Sequence, residues 1–239
     1  MRKRSGAAII IAAACWLSTF TSAGAQGAGA RTLLFSGADL WGHGTFLYGG
    51  ALWSPDGLDR GGFTLKTLIS GGTYNYVSGS LGGAPVDGRE LVAQLLPGWR
   101  FKRGATELKV FAGIDLQDHH LSPNDPGSKL RGSDAGLRAA FEFWSEPTTN
   151  TMIAIDGSAS TIVGSYNIHA ATGWRFADRF YLGPEVQAFA SDDYRQRRVG
   201  AHITAFKIND TEWSAAAGYA SDSDDRNSAY ARFSVSRRY

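Results

Sequence analysis

Cysteine is almost absent: the 239 residues contain one, Cys15, and it falls in an apolar stretch near the start. Beyond that stretch the chain can form no disulfide and support no thiol chemistry. Charge is sparse, at 19% Asp, Glu, Lys and Arg, and nearly balanced, with 24 basic against 22 acidic residues. Such a balance leaves no basic footprint for nucleic acid. Helical periodicity is missing throughout. After residue 25 no apolar run reaches the roughly 18 residues that a membrane helix requires. The chain also lacks a Gly-x-Ser-x-Gly elbow and a phosphate-binding glycine loop. If it enters a membrane, it enters as strands.

Arg2, Lys3 and Arg4 precede an apolar run from Ala7 to Phe20, and Ser22-Ala23-Gly24-Ala25 follows. A basic head, a short apolar middle and small residues at −3 and −1 predict a secretory signal peptide over 1–25, cut after Ala25. One β-barrel domain over 26–239 is the expected remainder. A retained anchor is the alternative, but the run is short for a spanning helix. A lipoprotein cut before Cys15 would call for a larger aliphatic residue where Ala12 stands. Loss of the three basic residues leaves 21 Lys and Arg against 22 Asp and Glu, a formal charge of −1.

Glycine, in contrast, is abundant at 30 residues, and long alternating segments run through the chain. In Phe180–Ala190, Phe180, Leu182, Val186 and Ala188 share one face, and Tyr181, Glu185 and Gln187 the other. After the turn Ser191–Asp193, Val199, Ala201, Ile203 and Ala205 oppose Arg198, His202 and Thr204. A period of two over ten or more residues is a strand with an apolar and a polar face. Strands of soluble proteins average five or six residues, whereas about ten, tilted, cross a bilayer. Ala- and Val-rich faces opposite fully charged ones suit a barrel with lipid outside and a wet interior.

Twelve such strands follow a Gly/Ala-rich leader, Gln26–Ala30, with approximate spans 33–41, 44–53, 61–75, 89–102, 106–117, 130–144, 150–162, 164–176, 179–190, 194–207, 211–220 and 228–238. Alternation is weakest over 150–162, where Ala, Gly and Ser dominate. Turn chemistry separates the strands at Gly42-His43-Gly44, Ser54-Pro55-Asp56-Gly57, Arg103-Gly104-Ala105, Glu146-Pro147 and Asn209-Asp210. The fold expected is all-β: an antiparallel up-and-down barrel of about 12 strands, of outer-membrane type. An even strand number places both termini on the periplasmic side. The two longest connections, Val77–Gly88 and Asp118–Ser128, then fall on the outside. Periplasmic turns are short except Ser54–Arg60. Trp53, Trp99, Trp144, Trp174 and Trp213 map to periplasmic strand ends with Phe101, Phe143, Phe176, Phe180 and Tyr239, as an interfacial aromatic belt requires. Trp41 maps to the outer edge. Pro97 and Pro184 interrupt strands and should mark a bulge or an edge.

The inward faces collect Lys66, Gln94, Arg100, Asp115, Gln117, Asp134, Arg138, Glu142, Asp156, His169, Arg175, Glu185, Gln187, Arg198, His202 and Arg232. Both signs come from different strands. One reading is a small barrel filled by its own salt bridges, as the narrow bore of a small barrel favours. The other is a polar lumen that binds a hydroxyl-rich ligand. Its candidate binding residues are Arg100, Asp115, Arg138, Tyr181, Glu185, Arg198 and His202, with Tyr181 and Phe189 as stacking rings. No catalytic residue, cofactor or metal is assigned. Asp118-His119-His120 with Asp125 lacks the helical spacing of a zinc pair. Ser221-Asp222-Ser223-Asp224-Asp225 lacks the glycine turn and terminal glutamate of a calcium loop.

Several blocks are long enough to be specific: LLFSGADLW (33–41), FLYGGALWSPDGLDRGGFTLK (46–66), LLPGWRFKRG (95–104), FAGIDLQDHHLSPNDPGSKLRGSDAGLRA (111–139), WSEPTTNTM (144–152), YLGPEVQAF (181–189), YRQRRVGAHITAF (194–206) and SDSDDRNSAY (221–230). With them the chain resembles the cellulose biosynthesis protein BcsS family of alphaproteobacteria over nearly its whole mature length. The resemblance implies a secreted envelope protein linked to exopolysaccharide and biofilm, and carries no catalytic residues across.

Three functions compete. The favoured one is a non-enzymatic accessory of cellulose secretion in the cell outer membrane, with outer-membrane lipid around it and cellulose, another glucan or the export machinery as partner. An outer-membrane acylhydrolase would require a Ser/His/acid set near the outer rim, which His43, His119 and His120 do not readily supply. A periplasmic lipocalin-like barrel would place the apolar faces inward.

Overall fold

The computed structural model describes residues 29–191 and 194–239. The expected signal peptide, and residues 192–193 of the expected turn, lie outside them. Twelve strands close into one antiparallel barrel in sequence order, with β1 paired to β12. They are β1 (Thr32–Trp41), β2 (Gly44–Trp53), β3 (Gly62–Ser78), β4 (Ala84–Arg103), β5 (Thr106–Ser122), β6 (Gly132–Thr148), β7 (Thr151–Ser160), β8 (Tyr166–Phe176), β9 (Phe180–Ser191), β10 (Tyr194–Ile208), β11 (Thr211–Asp222) and β12 (Asn227–Arg238). Closure satisfies every ladder edge, which a lone sheet in lipid could not do. Both described ends meet at one rim, where the Arg31 and Thr32 amides donate to the Tyr239 carbonyl. That rim is called the terminal end below, and the opposite rim the far end.

The outer surface is apolar. Leu47, Ile69, Leu91, Ile114, Leu137, Val186 and Val199 each expose half or more of their surface. These side chains come from the alternating positions read as outward, so the exterior needs an apolar solvent. At the terminal end Trp53, Trp99, Phe101, Trp174, Phe176 and Tyr239 are exposed in a ring. Phe176 stacks on Phe180, and Phe180 meets Phe206 edge-on. Trp144 does not belong to this belt. It is 4% exposed and faces inward, where its Nε1 donates to Glu146.

Several boundaries differ from the expected ones. Most of the presumed loop Val77–Gly88 is hairpin: Ser78 pairs with Ala84 and Tyr74 with Gly88, leaving only Gly79–Gly83 as turn. Likewise β5 continues to Ser122, so His119 is a buried inward residue rather than part of a loop. Glu146 and Pro147 sit in a register shift within β6, and the turn itself is 149–150. A second register shift lies between Ile203 and Phe206 of β10. Its extra residue turns Ala205 inward to 6% exposure, against the outward position its parity implies.

Pro97 and Pro184 mark neither a bulge nor an edge. The β4–β5 register is unshifted from Leu95 to Gly98, and the β8–β9 register is unshifted from Leu182 to Glu185. Each proline leaves a gap in one ladder only. Glycine fills the tight space beside each gap: a Cβ on Gly113 would lie 3.0 Å from Pro97 Cδ, and one on Gly183 only 1.9 Å from the Thr172 carbonyl oxygen. A missing amide is tolerated when the backbones can close around it.

Candidate functional site

The interior is where the polar faces converge, and side chains fill it. It is not polar all round, however. One flank, carried by β1 to β5, is lined by Leu33, Phe35, Phe46, Leu52, Leu68, Tyr74, Leu96 and Phe111. Charges occupy the remaining space in four groups.

Nearest the terminal end on the β3–β6 side, Glu142 receives Lys66 at 2.5 Å and Lys109 at 2.8 Å. Lys109 also reaches Glu107 at 3.1 Å, and Arg100 donates to the Leu58 carbonyl. Leu58 belongs to the loop 54–61, the one unexpectedly long connection at that end. This loop folds into the mouth, leaving Leu58 only 3% exposed.

In the second group Asp115 accepts from Arg138 Nη2 at 2.8 Å, Ser160 Oγ at 2.6 Å, Gln94 Nε2 at 3.0 Å and Gln117 Nε2 at 2.9 Å. Four donors on a carboxylate with no exposed surface compensate its lost hydration. His119 bridges Gln117 and the Tyr74 hydroxyl beside it. Glu90 lies 3.9 Å from His119 Nε2, and among the described residues neither carboxylate oxygen is hydrogen-bonded.

The third group centres on Glu185. It accepts from Arg232 at 2.6 Å and from the Tyr230 hydroxyl at 2.7 Å, and His169 lies between it and Asp156. His202 points the same way and contacts the Thr172 carbonyl.

In the fourth, Arg198 Nη1 donates to both oxygens of Asp39, at 2.9 and 2.8 Å. The Trp41, Phe189 and Tyr230 rings surround its guanidinium at 5.0–5.5 Å. A desolvated cation against several ring faces gains a cation–π contribution beyond the ion pair.

The seven candidate residues are therefore all interior, with exposures of 0–5%. They do not form one constellation. Asp115 pairs with Arg138, and Glu185 and His202 share a neighbourhood. Arg100, Arg198 and Tyr181 each belong elsewhere. Asp39, Glu90, Glu107 and Lys109 were missing from the sequence-derived inward set. Asp39 was legible as the one charge on the inward face of β1, sharing the parity of Phe35 and Trp41.

The loop 123–131 lies at the far mouth, with Asp125, Ser128 and Leu130 buried. Asp125 anchors it, accepting from the Tyr76 hydroxyl at 2.9 Å, the Gly127 amide at 3.0 Å and the Ser80 hydroxyl. Burial alone would raise this carboxyl, but hydrogen bonds from Ser78, Ser80, Tyr76 and the Gly127 amide outweigh it and hold it below the usual aspartate range. Leu130 packs on Ile162 in the neighbouring β7–β8 connection. Among the described residues no three His, Cys, Asp or Glu side chains converge as a metal site. At the end of β11, Asp222 is ion-paired with Arg226 of the following loop at 2.8 Å.

A family model described as "Cellulose biosynthesis protein BcsS" matches residues 33–239. No curated protein is close enough in sequence to match. Solved structures of similar fold include an outer membrane channel from Pseudomonas putida F1, at TM-score 0.54 and 9% identity, covering 97% of this chain and 100% of that one. The translocator domain of the autotransporter NalP from Neisseria meningitidis matches at 0.50 and 13%, covering 90% of each chain. The transport unit of the autotransporter AIDA-I from Escherichia coli matches at 0.50 and 8%, covering 88% of this chain and 91% of that one. These likenesses establish an outer-membrane type of barrel fold.

Proposed function

The chain belongs to the cellulose biosynthesis protein BcsS family, and on that premise we propose that it is a non-enzymatic outer-membrane accessory of cellulose secretion. In this reading the terminal end faces the periplasm and the far end the cell exterior. The observation that carries the reading is a closed barrel with an apolar outer face and an interior packed with paired charges. That packing supports a rigid membrane element that meets glucan or the export machinery at its mouths, with the lumen charges holding the barrel together. The seven interior candidates would touch polymer only if the filling side chains moved apart.

The histidines favour this reading over an acylhydrolase. A Ser/His/acid mechanism requires a histidine hydrogen-bonded to the nucleophilic hydroxyl. Here four of the five histidines have other partners: His119 contacts Tyr74 and Gln117, His169 contacts Asp156, Glu185 and Arg232, His202 contacts a carbonyl, and His43 contacts Asn75; the fifth, His120, is exposed on the outer side of β5. The lipocalin-like alternative would need an outward polar face, whereas Leu137, Leu47 and Ile69 are more than 60% exposed.

Membrane fractionation tests the placement. The protein should sediment with outer membrane, resist salt extraction, require detergent for release, and migrate differently on gels before and after heating. Recovery in the soluble periplasm without detergent would refute it.

A further inference from the structure

Three irregularities of the barrel converge on one place at the terminal end. The two register shifts among the described residues lie between Ser145 and Thr148 of β6 and between Ile203 and Phe206 of β10. The third is the β8–β9 turn, where Ala177 and Asp178 hold left-handed backbone at φ of 49° and 54°. Ala205, inside the second shift, is left-handed as well, at 60°. Residues from all three border a pocket of about 450 Å³, within the ~300–1,000 Å³ span of small-ligand sites. Left-handed backbone at non-glycine residues is costly and concentrates where a site demands it.

Bulges at barrel rims re-aim side chains, and these two do so. In β10 the extra residue brings Lys207 to the pocket, where unbroken alternation would have turned it outward to lipid. In β6 the shift holds Glu146 beside Arg175, 2.9 Å from its Nη2. Arg175 also donates to the Tyr181 hydroxyl and lies over that ring at 4.9 Å. The remaining lining charges, Asp178, Arg179 and Lys207, make no side-chain hydrogen bond or ion pair among the described residues. Asp178 lies within electrostatic reach of Arg175, but no hydrogen bond ties up the side-chain polar groups of these three. Elsewhere the same mouth is occupied by the loop that carries Leu58.

The pocket thus offers cationic donors and carboxylate acceptors in near balance. A neutral polyhydroxylated ligand, whose every hydroxyl both donates and accepts, matches that mixture. An anion would gain from Arg179 and Lys207 and lose against Asp178 and Glu146. We infer that this rim pocket is a binding subsite for a neutral glucan chain at the periplasmic mouth of the barrel. The inference rests on the accessory reading above, for the orientation and for the glucan.

The test is calorimetric titration of the purified full-length protein in detergent with cellohexaose and, separately, with tetragalacturonate. Asp178→Asn and Lys207→Gln break no side-chain hydrogen bond or ion pair among the described residues, so both variants should keep the heat-modifiable migration of the folded barrel. Cellohexaose should bind the native protein more tightly than tetragalacturonate, and each variant should bind it about tenfold more weakly, as when one charge-assisted hydrogen bond is reduced to a neutral one. Unchanged affinity in folded variants would overturn the subsite, as would no cellohexaose binding by the native protein. Tighter binding of tetragalacturonate would make it an anion site instead. None of these results bears on the accessory role, which the cellulose output of a deletion strain decides separately.

Discussion

An arginine placed on the outer face should cost stability according to its depth in the membrane, and the ladder allows those depths to be worked out. A barrel strand rises about 3.3 Å per residue and tilts by roughly 40°, so each residue gains about 2.5 Å of depth. Phe206 meets the exposed aromatic ring of the terminal end through Phe180. Val199 lies seven residues from Phe206, one of which the bulge absorbs, and is 56% exposed. It therefore sits about 15 Å above the ring, close to the middle of an apolar band about 25 Å tall. Ile203, 40% exposed, sits only about 5 Å above it on the same scale. Val77, 50% exposed at the end of β3, lies some 35 Å above Phe63, beyond the band. Val199→Arg should cost about 2–4 kcal/mol, Ile203→Arg about 1 kcal/mol, and Val77→Arg within about 0.5 kcal/mol of nothing. Urea titration of folding into phospholipid vesicles, read by heat-modifiable migration, measures all three. Equal costs at Val199 and Val77 would refute the membrane-embedded outer face.

Asp39→Asn should destabilise the barrel by about 3–5 kcal/mol, because it strands a buried Arg198, and adding Arg198→Gln should recover part of the loss; the same urea titration reads the coupling. Gly183→Ala, whose Cβ would lie 1.9 Å from the Thr172 carbonyl oxygen, should open the β8–β9 ladder beside Pro184, seen as faster amide exchange in both strands. The loop 123–131 should stay anchored from neutral pH down to about 4, since a depressed carboxyl contributes its full stability above the ordinary aspartate value near 3.9 and loses it only as pH falls through its own lower value. Hydrogen exchange over that loop, corrected for intrinsic rate, should be flat across this range in the native protein and raised throughout in Asp125→Asn.

The alternation that exposed β9 and β10 to reading also located the other ten strands, because lipid outside and side chains inside impose a period of two along the barrel. What stayed hidden departs from that cause. The upper parts of β3, β4 and β5 continue pairing past the apolar band, where Pro85, Asp87, Gly88 and Asp118 look like loop residues. Nothing about Ala205 announces a bulge, since alanine has no preference for left-handed backbone; the shift shows only through Trp213 pairing with Phe206. Inward parity was legible for Arg198, Glu185 and Asp115, but pairing was not. Arg198 finds Asp39 across 159 positions of sequence, and only closure of β1 against β12 brings those strands near. The aromatic flank was hidden because Phe35, Phe46 and Phe111 suit lipid as well as a core. The rim pocket was missed because it consists of two bulges and a turn, each an exception to the pattern that made the rest readable.

The most direct measurement is extracellular cellulose per cell in a strain lacking this chain, with and without the full-length protein restored to its outer membrane. The account predicts that cellulose falls in the deletion and returns with the native protein restored. Unchanged cellulose in the deletion strain would contradict it.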